Sequence, residues 1–140
     1  MSSDTTYRSA SDFARELESF TGTEHYYRHP FGLTFTDGVR HLILDIAHVR
    51  ADDGGRCNGA FWLLDAIASH QPKAKLRCGS FQLWALTVTV AEGRRRATLA
   101  CRADSEKPPV ITQEIESTDF PLPSVSLYVI DGVALLPSEY

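Results

Sequence analysis

The stretch NGAFWLLDAIASHQ, residues 58–71, is the long helical signal in a chain that otherwise reads as strands and turns. Asn58 suits an N-cap, because its side-chain oxygen can accept from the free backbone N–H groups of a first helical turn. Pro72 has no N–H and disfavours a helical residue before it, so the helix is expected to end near Ser69 to Gln71. Between these limits Ala60, Leu63, Leu64, Ile67 and Ala68 recur at helical spacing, and Phe61 widens the stripe. The opposite face carries Asn58, Trp62, Asp65 and Ser69, neighbours at three- and four-residue intervals. Such a stripe predicts a helix laid on a sheet. Trp62 and Asp65 then read either as a binding surface or, more simply, as an indole N–H bonded to a carboxylate at a sheet edge.

Downstream, QPKAKLRCGS reads as a basic connector with Lys73, Lys75 and Arg77 alternating. FQLWALTVTV (81–90) is the clearest strand, with Trp84, Leu86, Val88 and Val90 on one face. Glu92-Gly93 turns the chain, and Arg94, Arg95 and Arg96 open the next strand, which runs to Arg102. These arginines are a solvated tip or, together with the three basic residues of the connector, a phosphate- or acid-binding patch. A strand over 110–115 follows, with Ile111 and Ile115 in and Thr112 and Glu114 out. STDFPLP (117–123) is a corner set by two prolines. Val125, Leu127 and Val129 then alternate with polar neighbours, and Asp131-Gly132 makes a hairpin into Val133 to Leu136.

Upstream, residues 1–9 read as a loose polar arm and 10–140 as a single domain. Ser11 or Asp12 is placed to cap a short helix carrying Phe13, Leu17 and Phe20, which Gly22 ends. TGTEHYYRHP (21–30) is the densest chemistry in the chain. Extended, it puts Glu24, Tyr26 and Arg28 on one side and His25, Tyr27 and His29 on the other. Two histidines four residues apart on a strand lie roughly 13 Å from each other, too far to share a metal directly. A polar strand edge or ligand-facing loop is the expectation, with no metal and no cofactor. Leu33 to Phe35, Asp37-Gly38 and Val39 to Ile46 read as a hairpin. Residues 47–57 read as an exposed loop whose Asp52-Asp53-Gly54-Gly55 lacks the spacing of a calcium loop.

With 140 residues, 43% hydrophobic and 23% charged, the composition is that of a globular protein with a full core. No apolar run approaches the length of about 18 that a membrane span requires, and the first residues lack a basic-then-apolar signal; a cytoplasmic location is expected. A net charge of −4 argues against unspecific nucleic-acid binding as the main activity. The isolated Cys57, Cys78 and Cys101 suit reduced thiols, with Cys101 a buried strand residue. Cys57, just before a helix N-terminus, is the one thiol where a nucleophile is conceivable. No nucleophile elbow, phosphate loop, zinc motif or dinucleotide fingerprint is present.

Taken together, FTGTEHYYRH (20–29), FTDGV (35–39), GAFWLLDAIASHQ (59–71), FQLWALTV (81–88) and TQEIESTDFPLPSVSLYVIDGVALLPSEY (112–140) resemble a domain-of-unknown-function family of small bacterial and phage-associated proteins. The chain departs from the family pattern between Leu44 and Cys57. The resemblance brings no catalytic residues. It implies an accessory role on mobile elements, such as acting on a host or rival system, and it marks the segment with Glu24 and Arg28, the Trp62–Asp65 pair and TDFPL as places to look.

The expected fold is α+β: an antiparallel sheet of about six strands, the 58–71 helix packed on one face and a short N-terminal helix beside it. Three functional readings follow. The first is a non-catalytic module that binds another protein through its sheet face, loops or acidic surface, an anti-CRISPR-like inhibitor being one form. The second is a small enzyme or ligand-binding domain using Glu24, His25, Tyr27, Arg28 and His29 with Asp65 nearby. The third, weak nucleic-acid binding, needs Lys73, Lys75, Arg77 and Arg94 to Arg96 on one face.

Overall fold

The computed structural model describes residues 8–51 and 57–140. The first seven residues of the expected N-terminal arm and the Asp52-Asp53-Gly54-Gly55 turn lie outside them. In chain order the elements are β1 (Arg8–Ser9), α1 (Ala10–Glu18), β2 (Tyr26–Arg28), β3 (Thr34–Thr36), α2 (Asp37–Asp45), β4 (Val49–Arg50), α3 (Phe61–Ser69), α4 (Gln71–Cys78), β5 (Phe81–Ala91), β6 (Arg94–Arg102), β7 (Ile111–Ile115), β8 (Ser124–Ile130) and β9 (Val133–Leu135). Seven strands form one sheet in the order β2-β3-β9-β8-β5-β6-β7, antiparallel except for the parallel β3–β9 pair. The fold is α+β, with one strand more than expected in the sheet and four helices where two were expected.

Alternation along the strands decides which face is covered. Gln82, Trp84, Leu86 and Val88 on β5, Ala97, Leu99 and Cys101 on β6, and Leu127 and Val129 on β8 are buried. They share one core with Phe13 and Leu17 of α1, Val39, Leu42 and Ile43 of α2, Leu63, Leu64 and Ile67 of α3, and Ala74 of α4. Val90 was expected in that row, but it lies at the hairpin end and is exposed. The opposite positions, among them Phe81, Leu83 and Ala85 on β5 and Tyr128 and Ile130 on β8, are only half-buried.

Several local readings are corrected. Val39 to Ile46 is not the second arm of a hairpin: Thr36 caps a helix, its Oγ1 accepting from Val39 N at 3.3 Å. Val39, Leu42, Ile43 and Ile46 then fall at helical spacing and all bury, which outweighs the Asp37-Gly38 turn signal. The basic stretch after residue 70 is a helix, not a connector. Pro72 does break the first helix, at His70, but then occupies the opening turn of α4, where its missing N–H costs nothing. Asn58 does not cap α3; the cap position is Ala60, without a side-chain bond. Similarly Ser9, not Ser11 or Asp12, caps α1, accepting from Asp12 N at 3.1 Å. The last two residues of the expected arm, Arg8 and Ser9, pair in parallel with Val49 and Arg50.

Polar groups fix the layers to one another. The buried amides of Gln71 and Gln82 donate to each other's oxygens at 2.9 and 3.0 Å, and Trp84 Nε1 donates to Gln82 Oε1 at 2.8 Å. At the C-terminus, Glu139 accepts from the Thr36 hydroxyl at 2.7 Å, Gly38 N at 3.1 Å and Leu136 N at 2.9 Å. A carboxylate at the start of α2 also complements the helix dipole.

Candidate functional site

The Glu24–His29 segment owes its path to Asp37. Glu24 N and His25 N donate to Asp37 Oδ2 at 2.9 and 3.3 Å, and the Tyr27 hydroxyl donates to Oδ1 at 2.9 Å. In return Asp37 N donates to Thr23 Oγ1 at 2.8 Å. These bonds, that from Glu24 N foremost, lower the Asp37 pKa, and the same carboxylate raises that of the Tyr27 hydroxyl. Tyr27 is further held by a stacked Phe35, with centroids 5.5 Å apart, and by the Arg40 guanidinium over its ring. Glu24, Tyr26 and Arg28, which alternation groups on one side, are exposed.

His29 turns inward and meets Asp65, its Nε2 lying 2.6 Å from Oδ1. Phe31 N donates to His29 Nδ1 at 3.1 Å, which places the ring proton on Nε2 and makes Asp65 the acceptor. Phe61 stacks on the imidazole at 5.5 Å and Phe31 meets it edge-on. The His29 side chain is fully buried and both its nitrogens are occupied. It therefore has no free nitrogen with which to move a proton for a substrate or to ligate a metal. This pair fastens the 29–33 turn to α3. Among the described residues no group of three or more His, Cys, Asp or Glu is placed to hold a metal ion.

The structure brings Tyr27, His29 and Asp65 to the helix side of the sheet; His25, though exposed, lies beside Tyr27 with its Nδ1 3.7 Å from Asp37 Oδ1, and Glu24 and Arg28 stay on the outside. Trp62 does not bond Asp65. It is half-buried, edge-on to Phe120 with centroids 6.2 Å apart. Lys73, Lys75 and Arg77 sit on α4, whose ends touch β5 near Gln82 and β6 at Cys101. Arg94, Arg95 and Arg96 pair with Ala91, Val90 and Thr89 at the far end of β5. At the strand rise the two groups stand roughly 20 Å apart along the sheet, so they do not merge into one patch. Cys57 is buried, its thiol donating to Ile46 O at 3.4 Å, and burial raises its pKa, the reverse of what a nucleophile needs.

Sequence reasoning missed two functional-looking features. Asp37 was read as a turn residue; the signal for its real place was Thr36 followed by the Val39-Leu42-Ile43-Ile46 spacing. The second is the aromatic and aliphatic make-up of the sheet face that the first functional reading proposed for binding. Phe81, Ile130 and Val133 lie across it in one row and Leu83, Tyr128 and Leu135 in the next. Tyr140, 77% exposed, packs against Phe81 and Tyr128 with centroids 6.0 and 5.5 Å away. Arg102, opposite Leu83, and Arg28, opposite Thr34, flank these rows.

These observations define an α+β protein with helices on one sheet face and an aromatic and aliphatic patch on the other. Residues 11–140 match a family of unknown function, DUF6876, and the chain belongs to that family. No curated protein and no solved structure matches it. No described helix is long and apolar enough to cross a membrane.

Proposed function

We propose that this protein is a non-catalytic protein-binding module that acts through the helix-free face of its sheet. The observation that carries this reading is the continuous patch of Phe81, Leu83, Tyr128, Ile130, Val133 and Leu135, half-buried, with Tyr140 packed on Phe81 and Tyr128. An apolar sheet face rimmed by polar and charged side chains is the usual mark of a protein contact, and tyrosine and phenylalanine are enriched at the centres of such contacts. The enzyme alternative built on Glu24 to His29 is less well supported, because His29 is sealed, the Tyr27 hydroxyl is committed to Asp37, and Glu24 and Arg28 face away. A cytoplasmic inhibitor of a larger host complex, encoded by a bacterium or phage, is the narrower form of this reading. It rests on small size, mild acidity and family resemblance.

The test is a pair of face variants, Leu83→Asp and Tyr140→Ser, compared with wild type in affinity capture and in analytical ultracentrifugation. One stoichiometric partner, or a second copy of the chain, held by wild type and lost by both variants while thermal unfolding stays cooperative supports the reading. Equal retention by wild type and variants removes the face from consideration.

A further inference from the structure

The last residue of α4 is Cys78, and β6 carries Cys101 on the face that the helices cover. Their sulfurs lie 3.8 Å apart, although the two residues are 23 positions distant in sequence. We infer that these two thiols are a redox modification site, closed to a disulfide by a peroxide and reopened by a dithiol reductant.

The two cysteines differ in access and in freedom to move. Cys101 lies between Trp84 of β5 and Ile111 of β7 and is fully buried. Its carbonyl accepts from Val110 N at 2.8 Å, so the backbone around it is held on both sides. Cys78 is half-buried and ends its helix. Gly79 follows at φ +76°, a turn that suits glycine, and its N–H donates to Lys75 O at 3.0 Å. Closure draws the sulfurs from 3.8 Å to about 2 Å, the length of an S–S bond. A helix end beside a glycine can give by that amount, whereas a strand inside the sheet cannot, so Cys78 is the partner that moves.

Access also orders the chemistry. The Cys78 thiolate attacks one peroxide oxygen and breaks the O–O bond, leaving a sulfenic acid on Cys78 and a hydroxide that takes up a proton as water. The Cys101 sulfur then attacks the sulfenic sulfur. The S–O bond breaks, and the hydroxyl leaves with the Cys101 proton as a second water. Two thiols and one peroxide thus give one disulfide and two waters. Cys101 does not react first, because it is sealed and burial keeps it protonated. Cys57 is buried elsewhere, its thiol on Ile46 O. Among the described residues no third metal-ligating side chain joins the pair, so the site suits a disulfide better than a zinc-type centre. The cross-link would staple the end of α4 to the middle of the sheet and make the chain harder to unfold.

The test treats reduced full-length protein with hydrogen peroxide, blocks the remaining thiols with N-ethylmaleimide and maps the peptides by mass without reduction. The expected result is a chain lighter by two hydrogens, with the Cys78 and Cys101 peptides joined and Cys57 blocked. Dithiothreitol restores both thiols, and the oxidised protein melts at a higher temperature than the reduced one. In Cys101→Ala, dimedone is expected to trap the sulfenic acid on Cys78. In Cys78→Ser, Cys101 is expected to stay unmodified at the same peroxide dose. In denaturant, pairings with Cys57 should join the mixture. That same mixture from folded protein, oxidation of Cys78 beyond the sulfenic acid without linkage, or no reaction at either thiol overturns the inference. The wild-type result decides this whether or not the variants fold. The pair lies on the helix side of the sheet, so this inference and the proposed function stand or fall separately.

Discussion

The Tyr27 hydroxyl and the Asp37 carboxylate meet at 2.9 Å, and through that contact the edge strand β2 is bound to the N-terminus of α2. Two opposite titrations depend on it. The folded Asp37 pKa is below its unfolded value of 3.8, so its contribution to stability is complete above that pH and is lost as pH falls through the folded value. The Tyr27 pKa is raised above 10.0, so its contribution holds below that pH and is lost as pH rises through the folded value. Denaturant unfolding across pH is therefore expected to show both losses in wild type. Asp37→Asn flattens the acid flank relative to wild type, with Asp12 supplying the residual slope there, and Tyr27→Phe flattens the alkaline one.

Gly38 and Glu139 are a second coupled pair. A Cβ at position 38 would lie 2.5 Å from Glu139 Oε1 and 2.7 Å from Leu136 Cδ1. Gly38→Ala is expected to cost about 1–3 kcal/mol by overpacking, and Glu139→Ala about 1–2 kcal/mol by uncapping α2. Combined, they should cost less than the sum, since the second removes part of the clash created by the first. A double-mutant cycle by chemical denaturation measures this; strict additivity would show that the contact does not exist in solution.

The amide pair in the core sets a third expectation. Gln82→Leu leaves the Gln71 amide oxygen and Trp84 Nε1 buried without their partners and should cost about 2–4 kcal/mol. Replacing Gln71 by leucine as well removes one of the stranded groups, so the double variant is expected to recover part of the loss in thermal unfolding.

Thiol reactivity gives a fourth. Burial, with the nearby Cys78 sulfur 3.8 Å away, pushes the Cys101 pKa up to about 12, and burial raises Cys57 as well. Cys78 alone of the three is half-buried. Iodoacetamide at mildly alkaline pH should alkylate Cys78 first in the native protein, and all three at similar rates in denaturant, as peptide mass mapping would resolve.

The sheet was legible where alternation was long and clean: apart from Val90 at the hairpin end, β5, β6 and β8 have the inward and outward residues that period-two patterning assigns. Two helices were misread because a local signal pointed the wrong way. Asp37-Gly38 is good hairpin chemistry, and only burial of Val39, Leu42 and Ile43 against the sheet tips it to helix. Pro72 ends one helix but begins another, and the basic residues around it are as compatible with a solvated helix face as with a linker. The His29–Asp65 contact spans 36 positions, and the role of Glu139 spans 103, so neither is visible at any periodic spacing. Chemistry in TGTEHYYRHP was recognised by composition; its division into buried and exposed groups required the partner strand and helix.

The parallel pairing of β3 with β9 joins the first quarter of the chain to its last few residues. The edge of the sheet thus cannot close until residues 133–135 have emerged. While the chain emerges, β5 and β6 can form a hairpin from neighbours in sequence, but β3, with β2 beside it, has no place in the sheet until β9 has emerged. Folding should accordingly run from the middle outward, with the N-terminal segment waiting. Stop codons or proteolysis that remove only 136–140 would leave that segment without its clasp, so a loss of a few residues at one end would be felt as unravelling at the other.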